Sequence, residues 1–461
     1  MTSSLGRFLT IVRAFSVYYW KAHVVNNGKA NGLTRERAIL FRETFEDLGS
    51  VFFKFGQLLA LRPDFLPTEY CRELFYLLEE APLVPKEEVI SIIKAELGDV
   101  PDKIYKEFDY EPLAIASFGQ VHKAKLRNGE DVVVKVQRPD LDQLVKLDIS
   151  ILKFIARLID LFPLGLNKVL PIVEEFEFWT REELDYIQEA SYTTKFFKKI
   201  DELVIPKVYS KFSTPKVLTT TYLEGITLSK VLIAKRNGDK GVLENLKNKG
   251  FSPQKISLML FRIFAKMIYI DGFFHADPHP ANVMWLDNGK LALIDFGIVG
   301  TLSEAQRRLC LRYTRSALCG DGDTAYDALS KLCDISKTKN LDQLKREHDL
   351  LIKDSLANFE GNGELGAKRQ VLGQKLYATV RLLQKHNVRF PVDTMRYFRT
   401  LSTLESLVVE INPTIKLSEL ARKLRNITMA RLIVDLPDLF DKSKFEKSFY
   451  KLVNALEAEL I

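Results

Sequence analysis

The sequence predicts an α+β protein in which strand-rich and helix-rich regions are separate. Residues 108–136 contain β-branched residues with the two-residue period of strands. Residues 138–179 and 302–461 instead place apolar residues at helical spacing. The length of 461 residues, with 46% hydrophobic and 28% charged residues, is typical of a globular protein with several domains. We expect a helical amino-terminal extension, a strand-containing lobe with a helical insertion, and a helix-rich lobe, over residues 1–105, 106–222 and 223–461.

The charge and the cysteines limit the class of ligand and the compartment. The net charge of +7 suits anionic ligands such as nucleotides or a negatively charged membrane, and no block of Lys and Arg indicates nucleic-acid binding. The cysteines have no Cys-x-x-Cys spacing, which indicates reduced, mostly buried thiols at Cys71, Cys310, Cys319 and Cys333. Charged residues interrupt the longest apolar run, residues 149–166, and the amino terminus has no small-residue cleavage site. We therefore expect a cytoplasmic protein.

Residues 5–23 are predicted to form an amphipathic helix. Its apolar stripe consists of Leu5, Phe8, Leu9, Val12, Phe15 and Tyr19. Arg7 and Arg13 lie off that stripe. Such a helix either packs on its own protein or makes a peripheral membrane contact as an interfacial anchor. In the second case, deletion of residues 1–24 abolishes sedimentation with anionic liposomes.

A longer helical region covers residues 34–61 and includes Lys54-Phe55-Gly56-Gln57. Lys54 and Gln57 are three residues apart, so they share one face of a helix within an apolar stretch. A lysine in this position either extends along the protein surface to reach solvent or faces a cleft. The residues alone leave both alternatives open.

Three predicted strands, at residues 108–117, 119–126 and 131–136, form an antiparallel meander. Lys135 lies among the valines of the third strand, where a buried lysine is unfavourable unless it has a partner. The meander resembles the small lobe of protein kinases, in which a lysine on the third strand holds the nucleotide phosphates. By this resemblance Lys135 is a phosphate contact; the alternative is a surface lysine on an edge strand.

The turn between the first two strands, Leu113–Gln120, lies over the nucleotide by the same resemblance. Its candidate contacts are Ala114, Ala116 and Ser117. The turn lacks the G-x-G-x-x-G pattern of ordinary kinases. Methyl groups replace glycine hydrogens there, so the backbone cannot approach phosphates as closely.

Residues 181–190 contain several acidic side chains. On a helix, Asp185 and Glu189 are neighbours at i and i+4, and this like-charge pair is unfavourable without a nearby cation. Lys135, Lys54 or a metal ion could supply the positive charge. The alternative is an acidic face that is exposed to solvent.

The stretch Phe274–Gly297 carries the most specific pattern in the chain. Asn282 follows Asp277 by five positions, and Asp295 ends a predicted hairpin of two strands and a tight turn. A hairpin brings its two ends together, so we expect these three side chains to converge. Their oxygens suit a hard divalent cation such as Mg²⁺, which is commonly shared with phosphate groups.

The order of Asp277, Asn282 and the later Asp295-Phe296-Gly297 resembles the catalytic and metal-binding loops of protein kinases. In that arrangement Asp277 is the catalytic residue, and Asn282 and Asp295 bind the metal ion. His275 and His279 flank Asp277, and we expect them to support the loop rather than to bind zinc.

Together these pieces are similar to the UbiB-type (aarF-domain) atypical kinase family, over about residues 35–425. The motifs that carry the resemblance are the K-x-G-Q motif, the alanine-rich loop, the E-x-D motif and the two kinase-like loops, at Lys54–Gln57, Ala114–His122, Glu183–Asp185, His275–Asn282 and Asp295–Gly297. Ile115 interrupts the usual run of alanines in the second motif.

The resemblance implies ATP and Mg²⁺ binding, a two-lobed kinase-like fold, and an extension whose K-x-G-Q helix covers the active site. Members of the family that have been studied for function support ubiquinone or related prenyl-lipid metabolism. The resemblance assigns site roles to Lys54, Gln57, Glu183, Asp185 and Glu189, the last of these as the partner of Lys135.

Two features argue against ordinary protein phosphorylation. Ala276 replaces the arginine that precedes the catalytic aspartate of protein kinases, and no Ala-Pro-Glu segment follows Gly297. The leading hypothesis is a Mg²⁺-dependent ATPase or a small-molecule or lipid kinase, with a prenyl-quinone precursor or another lipid as its partner. The alternatives are a genuine protein kinase and a non-catalytic, nucleotide-gated lipid-binding module.

Overall fold

The computed structural model describes residues 4–22, 33–60, 65–74, 77, 83–115, 118–161, 169–200, 202–336, 338, 340–357, 371–386, 388 and 391–415. The described chain is an α+β structure, as the sequence predicts, and it divides into two compact units. Unit 1 contains Met1–Phe251 and Asp277–Val299, and unit 2 contains Ser252–Ala276 and Gly300–Ile461. Asp277, Asn282 and Asp295 of the kinase-like loops, expected in the third range, therefore belong to unit 1. The three predicted domain ranges stay a prediction.

The amino-terminal part of unit 1 is helical, with α1 (Ser4–Trp20), α2 (Leu33–Leu48), α3 (Ser50–Ala60), α4 (Thr68–Leu74), α5 (Lys86–Leu97) and α6 (Pro101–Ile104). The helical region predicted over residues 34–61 is divided into α2 and α3. Gly49 lies between them with φ +90°, a conformation that glycine adopts readily. Phe45 of α2 is buried between Phe15 of α1 and Phe52 of α3, with ring centroids 6.0 and 5.8 Å away.

Arg7 docks α1 onto the rest of unit 1. Its guanidinium donates two hydrogen bonds to the carboxylate of Asp148 on α7 (Leu141–Leu161), at 2.7 and 2.6 Å, and a third to Leu48 O at 2.8 Å. Asp148 is fully buried and needs a cationic partner, so the fold turns Arg7 inward. Part of the predicted apolar stripe is covered by the protein and part is exposed. The exposed residues of the stripe are Leu5, Leu9, Val12 and Tyr19.

An antiparallel sheet follows, with the strand order β1-β2-β3-β4: β1 (Glu107–Ile115), β2 (Gly119–Lys125), β3 (Asp131–Gln137) and β4 (Val217–Thr221). Val132, Val134 and Val136 are buried in a core that also includes Val89 of α5. Successive side chains of a strand point to opposite faces, so Lys135 lies on the other face of the sheet.

The rest of unit 1 consists of α8 (Leu170–Glu183), α9 (Tyr186–Lys199), β5 (Gly225–Thr227), α10 (Leu228–Asn237), α11 (Lys240–Asn248), β7 (Val283–Leu286) and β8 (Leu291–Leu293). Strands β5, β7 and β8 form a small antiparallel sheet. The predicted hairpin is β7-β8, and Gly289 provides the positive φ of its turn, +74°. At the open end of the hairpin, Ile294 N donates to Asn282 O at 3.1 Å, so the segments before and after it meet.

Unit 2 is mainly helical, with α12 (Pro253–Lys266), β6 (Phe273–His275), α13 (Glu304–Cys319), α14 (Gly322–Leu332), α15 (Leu341–Ala357), α16 (Val371–Lys385) and α17 (Val392–Ile411). Strand β9 (Val299–Thr301) includes the boundary between the units. Gly320 ends α13 in a left-handed conformation, as its position predicts. The glycines at residues 361–366 also predict a break in the helical pattern, but they lie outside the described residues. In the described ranges, no helix has both the length and the apolar character needed to cross a bilayer.

Candidate active site

Lys135 connects two distant parts of unit 1. Its ammonium donates to both carboxylate oxygens of Glu189 on α9, at 3.1 and 2.9 Å, and to Asp295 Oδ2 at 2.9 Å. These partners are 54 and 160 positions away along the chain. The lysine in the valine-rich strand therefore has two anionic partners, which offset the cost of burying its charge.

Helix α9 positions Glu189 for this contact. Tyr186, Glu189 and Phe196 are buried on one stripe of the helix. Phe196 packs against Phe296 of the Asp-Phe-Gly segment, with ring centroids 5.0 Å apart, and the N–H of Phe296 donates to the Glu189 carboxylate. The helix is thus tied to both the sheet and the loop that carries Asp295.

Asp185 caps α9 and lies apart from the buried contacts of Lys135. Its exposed side chain accepts hydrogen bonds from the N–H groups of Ile187 and Gln188, at 3.0 and 3.2 Å. An aspartate at this position satisfies backbone donors that the helix leaves unpaired. The sequence suggested a like-charge pair with Glu189 on one helix. Instead, Asp185 is the residue before the helix and Glu189 pairs with Lys135.

Lys54 of α3 pairs with Glu183, the last residue of α8. The distance from Nζ to Oε2 is 2.6 Å, and each side chain is 15% exposed. Glu183 lies beside the Asp-Phe-Gly segment, because a Cβ added at Gly297 would be 3.3 Å from its Cγ. Lys54 is therefore a largely buried, paired lysine rather than a solvent-directed one. Gln57 follows one turn later on the same helix and is half-buried.

Asn282 and His279 fix the loop that carries Asp277. Asn282 Nδ2 donates to Asp277 O at 3.1 Å and to Asp277 Oδ2 at 3.3 Å, so the amide oxygen is the atom of Asn282 that could bind a cation. His279 Nδ1 accepts a hydrogen bond from Ala281 N at 3.2 Å, and His279 N donates to Asp277 O at 2.7 Å. In unit 2, His275 is buried with its ring edge against Phe264.

The ion pairs around Lys135 shift the pKa of each member. Burial lowers the pKa of Lys135, but the carboxylates of Asp295 and Glu189 outweigh this and hold it well above its usual value. Burial raises the pKa of Asp295, but the Lys135 charge and the Gly297 N–H outweigh this and hold it well below its usual value. Burial and the Asp295 charge raise the pKa of Glu189 to about 7 despite the lysine.

These groups form an acidic cluster that we define as Glu183, Glu189, Asp277 and Asp295 with Lys54 and Lys135. Among the described residues, the cluster brings four carboxyl groups together with two ammonium groups. The pKa of Glu183 is correspondingly raised by burial first, and then by the charges of Asp295 and Asp277, although Lys54 opposes the shift.

A divalent cation with bound phosphates fits this site chemically. In the described ranges, no three Asp, Glu, His or Cys side chains are grouped closely enough to hold a metal ion by themselves. Mg²⁺ in nucleotide sites takes one or two carboxylates, and phosphates and waters complete its coordination. Asp295 and the amide oxygen of Asn282 are the oxygens that would serve as its protein ligands.

The remaining predicted contacts lie in the turn between β1 and β2. Ala114 is exposed near the end of β1, opposite Val121. Ala116 and Ser117 lie outside the described residues.

Sequence reasoning missed Tyr186, whose ring centroid is 4.9 Å from Lys135 Nζ and whose side chain is buried. A cation over an aromatic face is attracted to it. The available signal was an aromatic residue directly after the E-x-D motif.

Known proteins resemble this chain over most of its length. Residues 76–328 match the ABC1 atypical kinase-like domain. Protein slr0889 of Synechocystis sp. is 30% identical over 372 residues, which cover 78% of this chain and 87% of that protein. Protein ACTIVITY OF BC1 COMPLEX KINASE 7, chloroplastic, of Arabidopsis thaliana is 33% identical, over 84% of this chain but only 53% of that protein. The chain therefore spans about half the length of that plant relative.

A solved structure, the Rv3197–erythromycin complex from Mycobacterium tuberculosis, is similar with a TM-score of 0.49 and 22% identity, over 77% of this chain and 87% of that chain. The ABC1 atypical kinase-like domain, matched over residues 76–328, covers more than half of this chain. The strands, helices and loops of that part have the order of a kinase-like α+β fold. The chain belongs to the ABC1 atypical kinase-like family.

Proposed function

We propose that this protein is a Mg²⁺-dependent ATPase or a small-molecule or lipid kinase that acts in isoprenoid-quinone or other lipid metabolism. The observation that carries the proposal is the double contact of Lys135 with Glu189 and Asp295. In kinases, a lysine held by a helix carboxylate binds phosphates beside a metal-binding aspartate. Membership of the ABC1 family and the raised pKa values of Glu183 and Glu189, which reflect crowded buried carboxyl groups, support the same conclusion.

Each residue of the site has a positioning role in the proposed reaction. Asp295 and Asn282 would hold Mg²⁺, which would supply positive charge against the phosphates. Lys135 holds the α- and β-phosphates, and Glu189 fixes its position. Asp277 orients the attacking water or hydroxyl group, and Asn282 fixes the position of Asp277. Lys54 balances the charge of Glu183. Such positioning suffices because phosphoryl transfer depends chiefly on alignment and charge neutralisation.

The test is phosphate release by the purified protein with Mg²⁺ and ATP, with and without lipid. We expect Asp295→Asn to lower the rate by at least about 100-fold, because it removes a charged metal ligand. The matched control is Asp287→Asn, in the turn of the same hairpin, where Asp287 pairs with Lys249 at the surface. An Asp295→Asn variant as active as the parent would remove the assignment.

Further experiments separate the proposal from its two rivals. Labelled γ-phosphate that appears on a polypeptide supplied in trans would indicate a protein kinase. A non-catalytic, nucleotide-gated module predicts that Asp277→Ala still binds ATP and still complements a deletion strain. The proposed enzyme predicts that this variant binds ATP but fails to complement, because Asp277 orients the attacking group.

A peripheral membrane contact is the second part of the proposal. Phe8 of α1 packs against Phe154 of α7 with ring centroids 6.0 Å apart, so the two helices adjoin. Their exposed large apolar residues are Leu5, Leu9, Val12, Val17, Tyr19, Trp20, Phe154, Leu158 and Leu161. Three exposed basic residues add positive charge: Arg13 on α1, Lys21 directly after α1, and Arg157 on α7. An apolar face with basic residues favours an anionic lipid surface.

A sedimentation assay with vesicles containing phosphatidylglycerol tests this contact. We expect Leu9→Glu to reduce the bound fraction, because a carboxylate would have to enter the apolar layer. Leu350→Glu, in unit 2, is the control, since Leu350 is a similarly exposed leucine outside α1 and α7. Equal binding by the two variants contradicts the membrane contact.

A further inference from the structure

The hydroxyl group of Tyr186 is buried at the candidate site without a hydrogen-bond partner among the described residues. Tyr186 is the first residue of α9 and is only 1% exposed. A buried hydroxyl that makes no hydrogen bond destabilises the fold, since it has lost water and gained no replacement. An orphan group of this kind inside a functional site indicates that its partner is absent from the protein itself.

The surroundings of this hydroxyl indicate which partner it lacks. The ring lies 4.9 Å from Lys135 Nζ, the ammonium that contacts Asp295. The hydroxyl lies against Gly119, the first residue of β2, because a Cβ built on Gly119 would be 2.8 Å from it. The same Cβ would be 2.5 Å from Val136 O, so no larger residue fits at this position. The ring therefore faces the site lysine, and the hydroxyl lies against the first residue of the strand that follows the predicted phosphate turn.

The hydroxyl remains protonated and is therefore available as a donor. Burial raises the pKa of Tyr186 well above its usual value. The charge of Lys135 opposes this effect, and the carboxylates of Glu189, Asp295 and Glu183 reinforce it. A neutral phenol donates one hydrogen bond, and a phosphate oxygen is a strong acceptor that carries the charge a lysine binds.

We propose that the Tyr186 hydroxyl donates a hydrogen bond to a phosphate oxygen of the bound nucleotide. Tyr186 is thereby a phosphate-binding residue beside Lys135, and its ring supports the lysine. This inference rests on the proposed nucleotide-binding function. It adds to that function a phosphate contact made by the first residue of α9, so that bound phosphate also links α9 to the sheet.

The test is Tyr186→Phe in the full chain, which keeps the ring and removes only the hydroxyl. We expect the thermal midpoint without nucleotide to stay the same or rise, because the orphan group is gone. We expect the affinity for Mg²⁺-ATP, measured by calorimetry, to fall by about tenfold, the usual loss for a hydrogen bond to a charged group. Binding of adenosine, which has no phosphate, should be unchanged.

The matched control is Tyr105→Phe, in the core on the other face of the same sheet. The Tyr105 hydroxyl lies 3.2 Å from Thr219 Oγ1, so its removal should lower stability and leave the affinity for Mg²⁺-ATP unchanged. Wild-type affinity for Mg²⁺-ATP in Tyr186→Phe overturns the inference alone. An equal loss of affinity for ATP and adenosine also overturns it, since the ring environment would then be responsible. A wild-type protein that binds no Mg²⁺-ATP contradicts the proposed function itself.

Discussion

Two regions of the molecule bury polar side chains in contrasting ways. In unit 2, the hydroxyl cluster of Tyr269, Thr314 and Tyr397 is closed by its own hydrogen bonds: Tyr269 to Thr314 at 2.9 Å, Thr314 to Tyr397, and Tyr397 to Cys310 O at 3.0 Å. In unit 1, the acidic cluster packs four carboxyl groups around two lysines, and burial raises the pKa values of Glu183 and Glu189.

The difference separates a structural network from a binding site. Buried polar groups are normally hydrogen-bonded within a fold, and a network that is complete rigidifies the core around it. A hydroxyl without a hydrogen-bond partner among the described residues, such as that of Tyr186, is unfavourable in the protein alone. Beside the paired charges of Lys135, such a hydroxyl is a candidate ligand contact.

The largest expected effect comes from removing the Lys135 ammonium from the acidic cluster. Lys135→Met leaves Glu189 and Asp295 buried without that cation, and we expect a loss of about 3–5 kcal/mol in the free energy of unfolding. Without the Lys135 charge, the pKa values of Glu189 and Asp295 rise in the folded state, whereas those in the unfolded state do not change. The folded protein therefore binds more protons, and the loss should shrink as the pH falls.

Urea unfolding at about pH 7.5 and about pH 5.5 measures this effect and its pH dependence. Lys125→Met on the adjacent strand is the control, because Lys125 makes only longer contacts of 3.7 and 3.9 Å with Glu107 and Asp131 at the surface. We expect that variant to lose less than about 1 kcal/mol. If both variants lose the same amount, Lys135 is no more important than a surface lysine.

The second effect concerns His348 on α15, a buried polar side chain of unit 2 that differs from the hydrogen-bonded hydroxyl cluster of the same unit. The ring is buried, and neither of its nitrogens has a hydrogen-bond partner in the described part of the chain. Burial lowers its pKa to about 4, although Asp349 opposes the shift. The ordinary value is about 6.5, so the unfolded chain binds more protons between these two values and stability falls as the pH falls.

The expected loss is about 3 kcal/mol across this window, from the difference between the two pKa values. His348→Phe should remove that loss and gain more stability at about pH 5 than at about pH 7.5. Thermal unfolding at the two pH values measures the difference. An equal gain at both pH values would mean that His348 does not titrate as its burial implies.

The smallest effect sharpens the contrast between the two clusters with one type of substitution. Tyr397→Phe removes a hydroxyl that is fully used, so we expect a loss of about 1–2 kcal/mol and no change in nucleotide affinity. Tyr186→Phe removes an orphan hydroxyl, so we expect unchanged or higher stability and a lower affinity for nucleotide. Thermal unfolding and calorimetry on both variants measure these effects. A gain of stability in Tyr397→Phe would contradict the structural role of the hydroxyl cluster.

Local elements were predictable where short-range rules decide them. Gly289 at the hairpin turn and Gly320 after α13 need positive φ values, which the sequence signals directly. The run of valines around Lys135 predicts a strand, and in the structure the two-residue period of that strand puts the lysine on the face opposite the core. The break at Gly49, between α2 and α3, was not predicted, since an isolated glycine within an apolar helical pattern does not by itself decide whether the helix ends.

The sequence by itself determined the α+β class, the meander that carries Lys135 and the hairpin between Asn282 and Asp295, because each depends on residues close together in the chain. Tertiary structure decided that Arg7 faces inward to Asp148, that Asp185 caps a helix, and that Tyr186 lies over Lys135. These contacts follow from the packing of distant segments. Hydrophobic periodicity shows that a helix has an apolar face, but it does not show which charged group across the fold that helix will meet.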